Sequence, residues 1–450
     1  MKRRRLAYCG FYTFAQPNFF ILDPELSKRI LSKDFQHFTD RCFFVNEEID
    51  PFSAHLLSLK GSQWKLRRNK ISPTFTSGKM KMMFETLLNC TKDLRVLMED
   101  FAENYQIFNA NEIFERFTID IIGSCGFGIE CNSLRDPNSE FTKYGKKALK
   151  EGAWHQFKMN VSIFAPNLFD SFRIPLNSPD VTRFFMNTVK ETLRYREENN
   201  VVRKDFMHLM IQLKNNVKIE NDDNIGELKS KDSGTAVSLT DQQIAAEAFL
   251  FFFAGFETSA RTLTFCFYEL ASNMEIQEKL RTEIQNVLAK YGGRVTYDAV
   301  MEMTYMQKCI SETLRKYPPI PGITRKCTER YKLPDTNVII EKDVLIFVPI
   351  SAFHHDPEYY PNPEKFDPER FSSENQFGRH QYAWLPFGEG PRACIGMRFA
   401  IMQVKVGLAA LLQKYKFSVN SKTQIPFVFD PMHVFLTPKH GIWLNVEKIK

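Results

Sequence analysis

Apolar residues recur at three- and four-residue intervals over 83–101, 110–125, 144–153 and 181–198, the spacing that lays a stripe along one face of an α-helix. A shorter stretch of the same kind, 23–31, carries Pro24 in its first turn, where a helix has no use for the missing N–H. Residues 240–268 differ. Thr240 and Gln243 have the spacing of a capping box, and Leu239 and Ile244 that of the hydrophobic staple which fixes a helix start. Beyond them the run is apolar nearly all round, so this long helix is expected to be buried. A second apolar run, 395–412, is helical in period as well. Strand signals are confined to 10–21, to 320–350 around a turn at Glu341-Lys342-Asp343, and to a hairpin over 427–436. The pattern predicts a mainly α fold with a small β-rich region. Residues 40–60 show no period, and 214–238 is polar and charged, as for a mobile internal loop.

Composition refines this reading. With 450 residues, 43% of them hydrophobic, the chain can bury a sizeable core, and length alone leaves one large domain or several open. Phenylalanine, at 42 residues, reads as core packing or as the lining of an apolar cavity. A net charge of +7 without a concentrated basic stripe gives no argument for nucleic-acid binding, while it permits an acidic protein partner. Lys65, Arg67, Lys70, Lys79 and Lys81 form a basic cluster, read either as a solvated face or as docking surface. Nine cysteines without a C-x-x-C pair point away from a disulfide framework. No run reaches the roughly 18 to 20 apolar residues that span a bilayer, and no signal-peptide core follows Lys2-Arg3-Arg4-Arg5.

The candidate chemistry centres on Phe387-Gly388-Glu389-Gly390-Pro391-Arg392-Ala393-Cys394-Ile395-Gly396. Glycines and a proline give a constrained loop with little bulk, against which a flat ligand could lie. Cys394 stands just ahead of a predicted helix and two residues after Arg392, and both features favour thiolate, a good ligand for a single metal ion. The competing reading is an inert structural cysteine. Inside the long helix, Ala254-Gly255-Phe256-Glu257-Thr258-Ser259 breaks local rules, because a glycine and an acid in an apolar helix interior both cost stability. Trp64 and Arg68 share one helical face and offer an indole N–H and a guanidinium to a carboxylate. Glu312 and Arg315 share another, before Pro318 and Pro319 end their helix. His354 and His355 are adjacent, so they cannot converge on one metal.

Phe387, Gly390, Arg392, Cys394 and Gly396 match the F-x-x-G-x-R-x-C-x-G loop of the haem-thiolate monooxygenases, and residues 254–259 match that family's A-G-x-[D/E]-T-[T/S]. The chain therefore resembles the cytochrome P-450 family from Trp64 to Gly396. In SPTFTSGKMK, FFFAGFETSA and FGEGPRACIGMRFA it is similar to the insect microsomal branch that metabolises xenobiotics. The resemblance implies a single-domain fold with haem b between the long helix and the Cys394 loop, so that 214–238 is an internal loop and not a domain boundary. It implies Cys394 as iron ligand and Thr258, backed by Glu257 feeding protons from solvent, as the oxygen-side pair. Ala254 and Gly255 would give the macrocycle room, with Trp64, Arg68 and Arg325 on its propionates and His355 a further contact. Glu312, Arg315 and Arg370 become a cluster bracing the loop, and Phe252, Phe253, Ile320, Ile323 and Val434 line a substrate pocket.

For function, the resemblance implies insertion of one atom of O2 into lipophilic molecules, with electrons from NADPH through a separate flavoprotein reductase docked on the basic cluster. Phe164, Leu168, Phe169, Phe172 and Ile174 would dip into the membrane surface, on the cytosolic face of the endoplasmic reticulum. The family's N-terminal anchor is missing here, by truncation or by loss. Two other classes remain: a haem-thiolate isomerase that needs no dioxygen, which usually abandons the Glu-Thr pair, and a non-catalytic or incomplete haem-binding protein.

Overall fold

The computed structural model describes residues 6–13, 16–149, 152–164, 166–215 and 238–449, so the expected mobile loop 214–238 lies, apart from its ends, outside the described residues. The chain groups into two compact units. One comprises Met1–Phe43, Arg95–Glu115 and Glu257–Lys450, and the other Phe44–Leu94 and Arg116–Phe256. Helices dominate, with a small β region, as the hydrophobic pattern predicts.

In the first unit a four-stranded sheet runs in the order Tyr8–Thr13, Gln16–Ile21, Leu345–Val348, Ile323–Lys326. Leu345–Val348 pairs parallel with Gln16–Ile21 and antiparallel with Ile323–Lys326, which sets Arg325 opposite Ile346. Alternation puts Ile346 and Val348 into a core with Ile21, Ile30, Leu31, Phe38 and Leu385. The helix Thr304–Lys316 ends where Pro318 and Pro319 predict. The apolar run after Cys394 forms Met397–Leu412, starting two residues beyond the expected 395, with Gly396 at its N-cap. Residues 427–436 and the chain just after them fold back as an irregular hairpin with one antiparallel bridge, Phe429 to Pro438, joined by Asp430 N to Thr437 O and Lys439 N to Val428 O, both 2.8 Å, and pinned by Leu436 N to Pro319 O at 3.1 Å. Pro426, Pro431 and Pro438 each lack the N–H that a regular hairpin ladder needs.

In the second unit residues 44–60, most of the aperiodic region, form a loop with one 3-10 turn, Pro51–Ser53, tied down by Asp50, whose buried carboxylate accepts from Leu176 N at 3.0 Å and Asn177 N at 2.9 Å. The aromatic segment expected at a membrane surface is largely helical, as Gly152–Phe164 and Pro166–Ser171. Leu168 and Phe172 are exposed, with Trp154 and Phe157, and Ile174 is half-buried. Phe169 is buried against Phe44, with ring centroids 5.3 Å apart, so it belongs to the core. The Phe164 side chain lies outside the described residues.

The long helix is Asp241–Ser272. Its capping box forms as the spacing predicts, with Gln243 N donating to Thr240 Oγ1 at 3.2 Å and Thr240 N to Gln243 Oε1 at 3.3 Å. Among the described residues no helix is long and apolar enough to cross a membrane.

Candidate functional site

The loop ahead of Met397–Leu412 presents its thiol. None of the nine cysteines is in a disulfide, and Cys394 is exposed while the others are buried or half-buried. Its backbone is held by Cys394 N donating to Phe387 O at 2.8 Å. Gly390 has φ +77°, and a Cβ there would meet Leu31 O at 1.9 Å, so only glycine fits this turn. Arg392 is buried; its Nε donates to Thr39 O at 2.6 Å, and Arg41 donates to its carbonyl at 3.0 Å. Ile323 reaches over the same loop, since a Cβ on Gly388 would lie 3.4 Å from its Cδ1.

Arg325, 1% exposed, is the unusual cation of this unit. Its Nη1 donates to Thr324 O at 2.9 Å, its Nε has no acceptor, and among the described residues no carboxylate pairs with it. Burial, then the like charges of Arg41 and Arg392, push its pKa well below the ordinary arginine value. A buried guanidinium in that state would be satisfied by an anion.

Glu312 and Arg315 are fully buried and pair through two bonds, Nε to Oε2 at 2.7 Å and Nη2 to Oε1 at 2.9 Å. Arg370 Nε lies 3.3 Å from Glu312 Oε1, and Arg315 Nη1 donates to His354 O at 3.0 Å. His354 accepts from Leu385 N at 2.9 Å, two residues before Phe387, while burial lowers its pKa to about 3. His355 Nδ1 lies 2.9 Å from Ser351 O, a local helix contact. Ile320 and Val434 are exposed apolar side chains.

Glu257 is fully buried and bound by Arg261, one turn further along the helix, with Nε to Oε1 at 2.9 Å. Arg261 also holds Glu115 at 2.7 Å. Glu257 is thus no open inlet for solvent protons: its carboxylate already has a charged partner in the interior. Thr258 is half-buried, and Gln403 on Met397–Leu412 reaches Ser259 Oγ at 3.4 Å, linking the Cys394 helix to the Thr258 segment.

In the second unit Trp64 is buried and Arg68 half-buried on Gly61–Ile71. Arg67 is not surface charge: it pairs with buried Glu247 at 2.7 Å. Burial pushes the Glu247 pKa up to about 7 against the pull of Arg67. Lys70 Nζ is buried without an acceptor, which leaves Lys65 and Lys81 as the exposed part of the basic cluster. Gly255 makes room for Ile122, whose Cδ1 would lie 2.5 Å from an added Cβ, while Ala254 is exposed. Phe252 is fully buried against Phe141 and Phe185, at 5.2 and 5.0 Å, and is core. Phe253 is half-buried.

The family model for cytochrome P450 matches residues 6–446. The chain belongs to the cytochrome P450 family. Its relatives in Drosophila melanogaster include cytochrome P450 6a8, 41% identical over 449 residues that take in 100% of this chain and 87% of that protein. Cytochrome P450 6a2 is 43% identical, covering 98% of this chain and 86% of the relative, and probable cytochrome P450 6a13 is 43% identical with the same coverage. This P450 is accordingly an oxidoreductase of the haem-thiolate monooxygenase class.

Haem carries two carboxylates and an iron that takes a thiolate, and this P450 offers matching groups: a stranded buried guanidinium at Arg325 and an exposed thiol at Cys394. Sequence reasoning missed Arg261, Glu115, Glu247 and Gln403. The i, i+4 spacing of Glu257 and Arg261 was the available signal for the first.

Proposed function

We propose that this P450 oxidises lipophilic small molecules, xenobiotics or endogenous lipids and hormones, with Cys394 as the iron ligand. NADPH supplies the electrons through a separate flavoprotein reductase. The balance is one substrate C–H, one O2, one NADPH and one proton giving the hydroxylated product, water and NADP+. The observation that carries this reading is Arg325, a buried cation with no carboxylate of its own among the described residues, in the unit that holds the exposed Cys394.

Bound haem supplies dioxygen activation, with the thiolate favouring O–O cleavage. Cys394 would hold the iron as thiolate, a form that the N-terminus of Met397–Leu412 favours. Arg325 would donate to a carboxylate of the group; the same role for Trp64 and Arg68 is given by the family resemblance alone. Phe387, Arg392 and Gly396 hold the loop in shape, and Ala254 keeps side-chain bulk low. Thr258 holds a proton or a water at its hydroxyl, with Glu257 behind it. By the family resemblance, Phe253, Ile320, Ile323 and Val434 would offer apolar surface that excludes water from the substrate. Retention of Glu257 and Thr258 favours an oxygenase over an isomerase. Exposed Leu168 and Phe172 suit contact with a lipid surface, in keeping with residence at the endoplasmic reticulum membrane.

Reconstitution with an NADPH-dependent reductase, after a binding-spectrum screen against plant toxins, insecticides, fatty acids and steroids, tests the proposal. NADPH-dependent oxygenated product from at least one compound that shifts the haem spectrum is expected. Haem binding with no product from any such compound would overturn it.

A further inference from the structure

The long helix carries a buried ionic group whose cation has no part in the chemistry proposed above. Arg261, 1% exposed, donates from Nε to Glu257 Oε1 at 2.9 Å, and its Nη2 reaches both that oxygen and, at 2.7 Å, Oε1 of Glu115. Glu115, 3% exposed, comes from the helix Ala110–Ile122, remote in sequence. Burial works against the Arg261 charge, yet Glu257 and Glu115 together keep its pKa raised, so the cation is permanent. Its Nη1 is buried without an acceptor. Buried ion groups with a stranded donor are poor stabilisers compared with apolar side chains of the same size, so packing alone does not account for this one. Its geometry restricts one carboxylate above all. Two of the three Arg261 contacts fall on a single oxygen of Glu257, the residue next to Thr258.

We propose that Arg261 is a positioning residue for Glu257: anchored by Glu115, it fixes the Glu257 carboxylate in the orientation from which protons pass towards Thr258. The inference rests on the proton-delivery reading of Glu257 and Thr258. Because Glu257 is fully buried, protons reach it through the interior and not by direct contact with solvent. An opposite charge in contact favours an ionised carboxyl, so without Arg261 a buried Glu257 takes up a proton and keeps it.

The test uses the full haem-loaded chain as wild type, R261M, R261K, E115Q and E257Q. Infrared spectra of the ferric protein, titrated across the neutral range, read carboxyl protonation without any turnover. A protonated-carboxyl band is expected in R261M that disappears in R261M/E257Q and is absent from wild type and R261K. Hydrogen peroxide released per NADPH oxidised, with reductase and 7-ethoxycoumarin as probe, is expected to rise several-fold in R261M. E115Q should raise the ratio by a smaller factor, and R261K should return it towards wild type. A wild-type infrared titration together with a wild-type peroxide ratio in R261M overturns the inference. Should R261M fail to fold, E115Q decides alone, and an unchanged ratio there overturns it as well. The underlying reading fails separately, if E257Q leaves the peroxide ratio unchanged; a raised ratio in E257Q but not in R261M sinks only the role of Arg261.

Discussion

Arg325 is buried beside Arg392, and burial together with the like charges of Arg41 and Arg392 makes its protonated form costly. Such an arrangement is unfavourable in the protein alone and becomes favourable when an anion arrives. R325M should therefore leave the haem-free protein as stable as wild type or more so, while haem affinity falls. A lost charge-assisted hydrogen bond is worth about 1.5–3 kcal/mol, which corresponds to roughly a 10- to 100-fold weaker affinity. Thermal melts of the haem-free protein and haem titration check the two halves. Equal haem affinity in R325M would remove Arg325 from the site.

The Glu312–Arg315 pair behaves in the opposite way, because each partner satisfies the other. Burial pushes the Glu312 pKa up while Arg315 pulls it down, so Glu312 depends on its neighbour to stay charged. E312Q or R315M leaves an uncompensated buried group and should cost about 3–5 kcal/mol. Denaturant unfolding measures this directly, and a cost of about 1 kcal/mol or less would place the pair among ordinary surface bridges.

His354 makes stability depend on pH. Its pKa falls from 6.5 to about 3 on burial, so between those values the unfolded chain binds a proton that the folded chain does not. Stability therefore rises with pH across that window and is lost on acidification, by up to about 1.4 kcal/mol per pH unit from this group. The sign follows from a depressed folded-state pKa. H354Q should flatten the slope of melting temperature between pH 6 and about 4 relative to wild type. Parallel slopes would show that His354 titrates normally.

The basic cluster divides into two kinds of residue. Lys65 and Lys81 are exposed, whereas Arg67 is sealed against Glu247. K65E and K81E should slow electron transfer from the reductase, most strongly at low salt, with little change in stability. R67Q should instead destabilise by about 3–5 kcal/mol, with the salt dependence of reduction preserved. Stopped-flow reduction across ionic strength, paired with unfolding curves, separates the two behaviours.

What could be read from the sequence was local. The capping box at Thr240 and Gln243, the shared face of Glu312 and Arg315, and the glycine turn before Cys394 all depend on spacing within one element, and spacing is what a sequence displays. Contacts across elements were hidden. Glu115 and Arg261 come from different helices, as do Arg67 and Glu247, and only packing brings them together. A signal existed nonetheless: an acid such as Glu247 or Glu257 in an apolar helix demands a cation, and Arg67 and Arg261 were the answers. Phe252 and Phe253 show another limit. Adjacent helical positions point about 100° apart, so Phe252 is fully buried while Phe253 is half-buried, its ring 6.4 Å from that of Phe249.

The bond between Cys394 and iron is the centre of the proposed chemistry. The most direct measurement is the carbon monoxide difference spectrum of the reduced haem-loaded protein, for wild type, C394A and C42A. Wild type and C42A should show the long-wavelength band of a thiolate-ligated complex, and C394A should lack it. A thiolate-type band that survives in C394A, or one missing from wild type, would contradict the assignment.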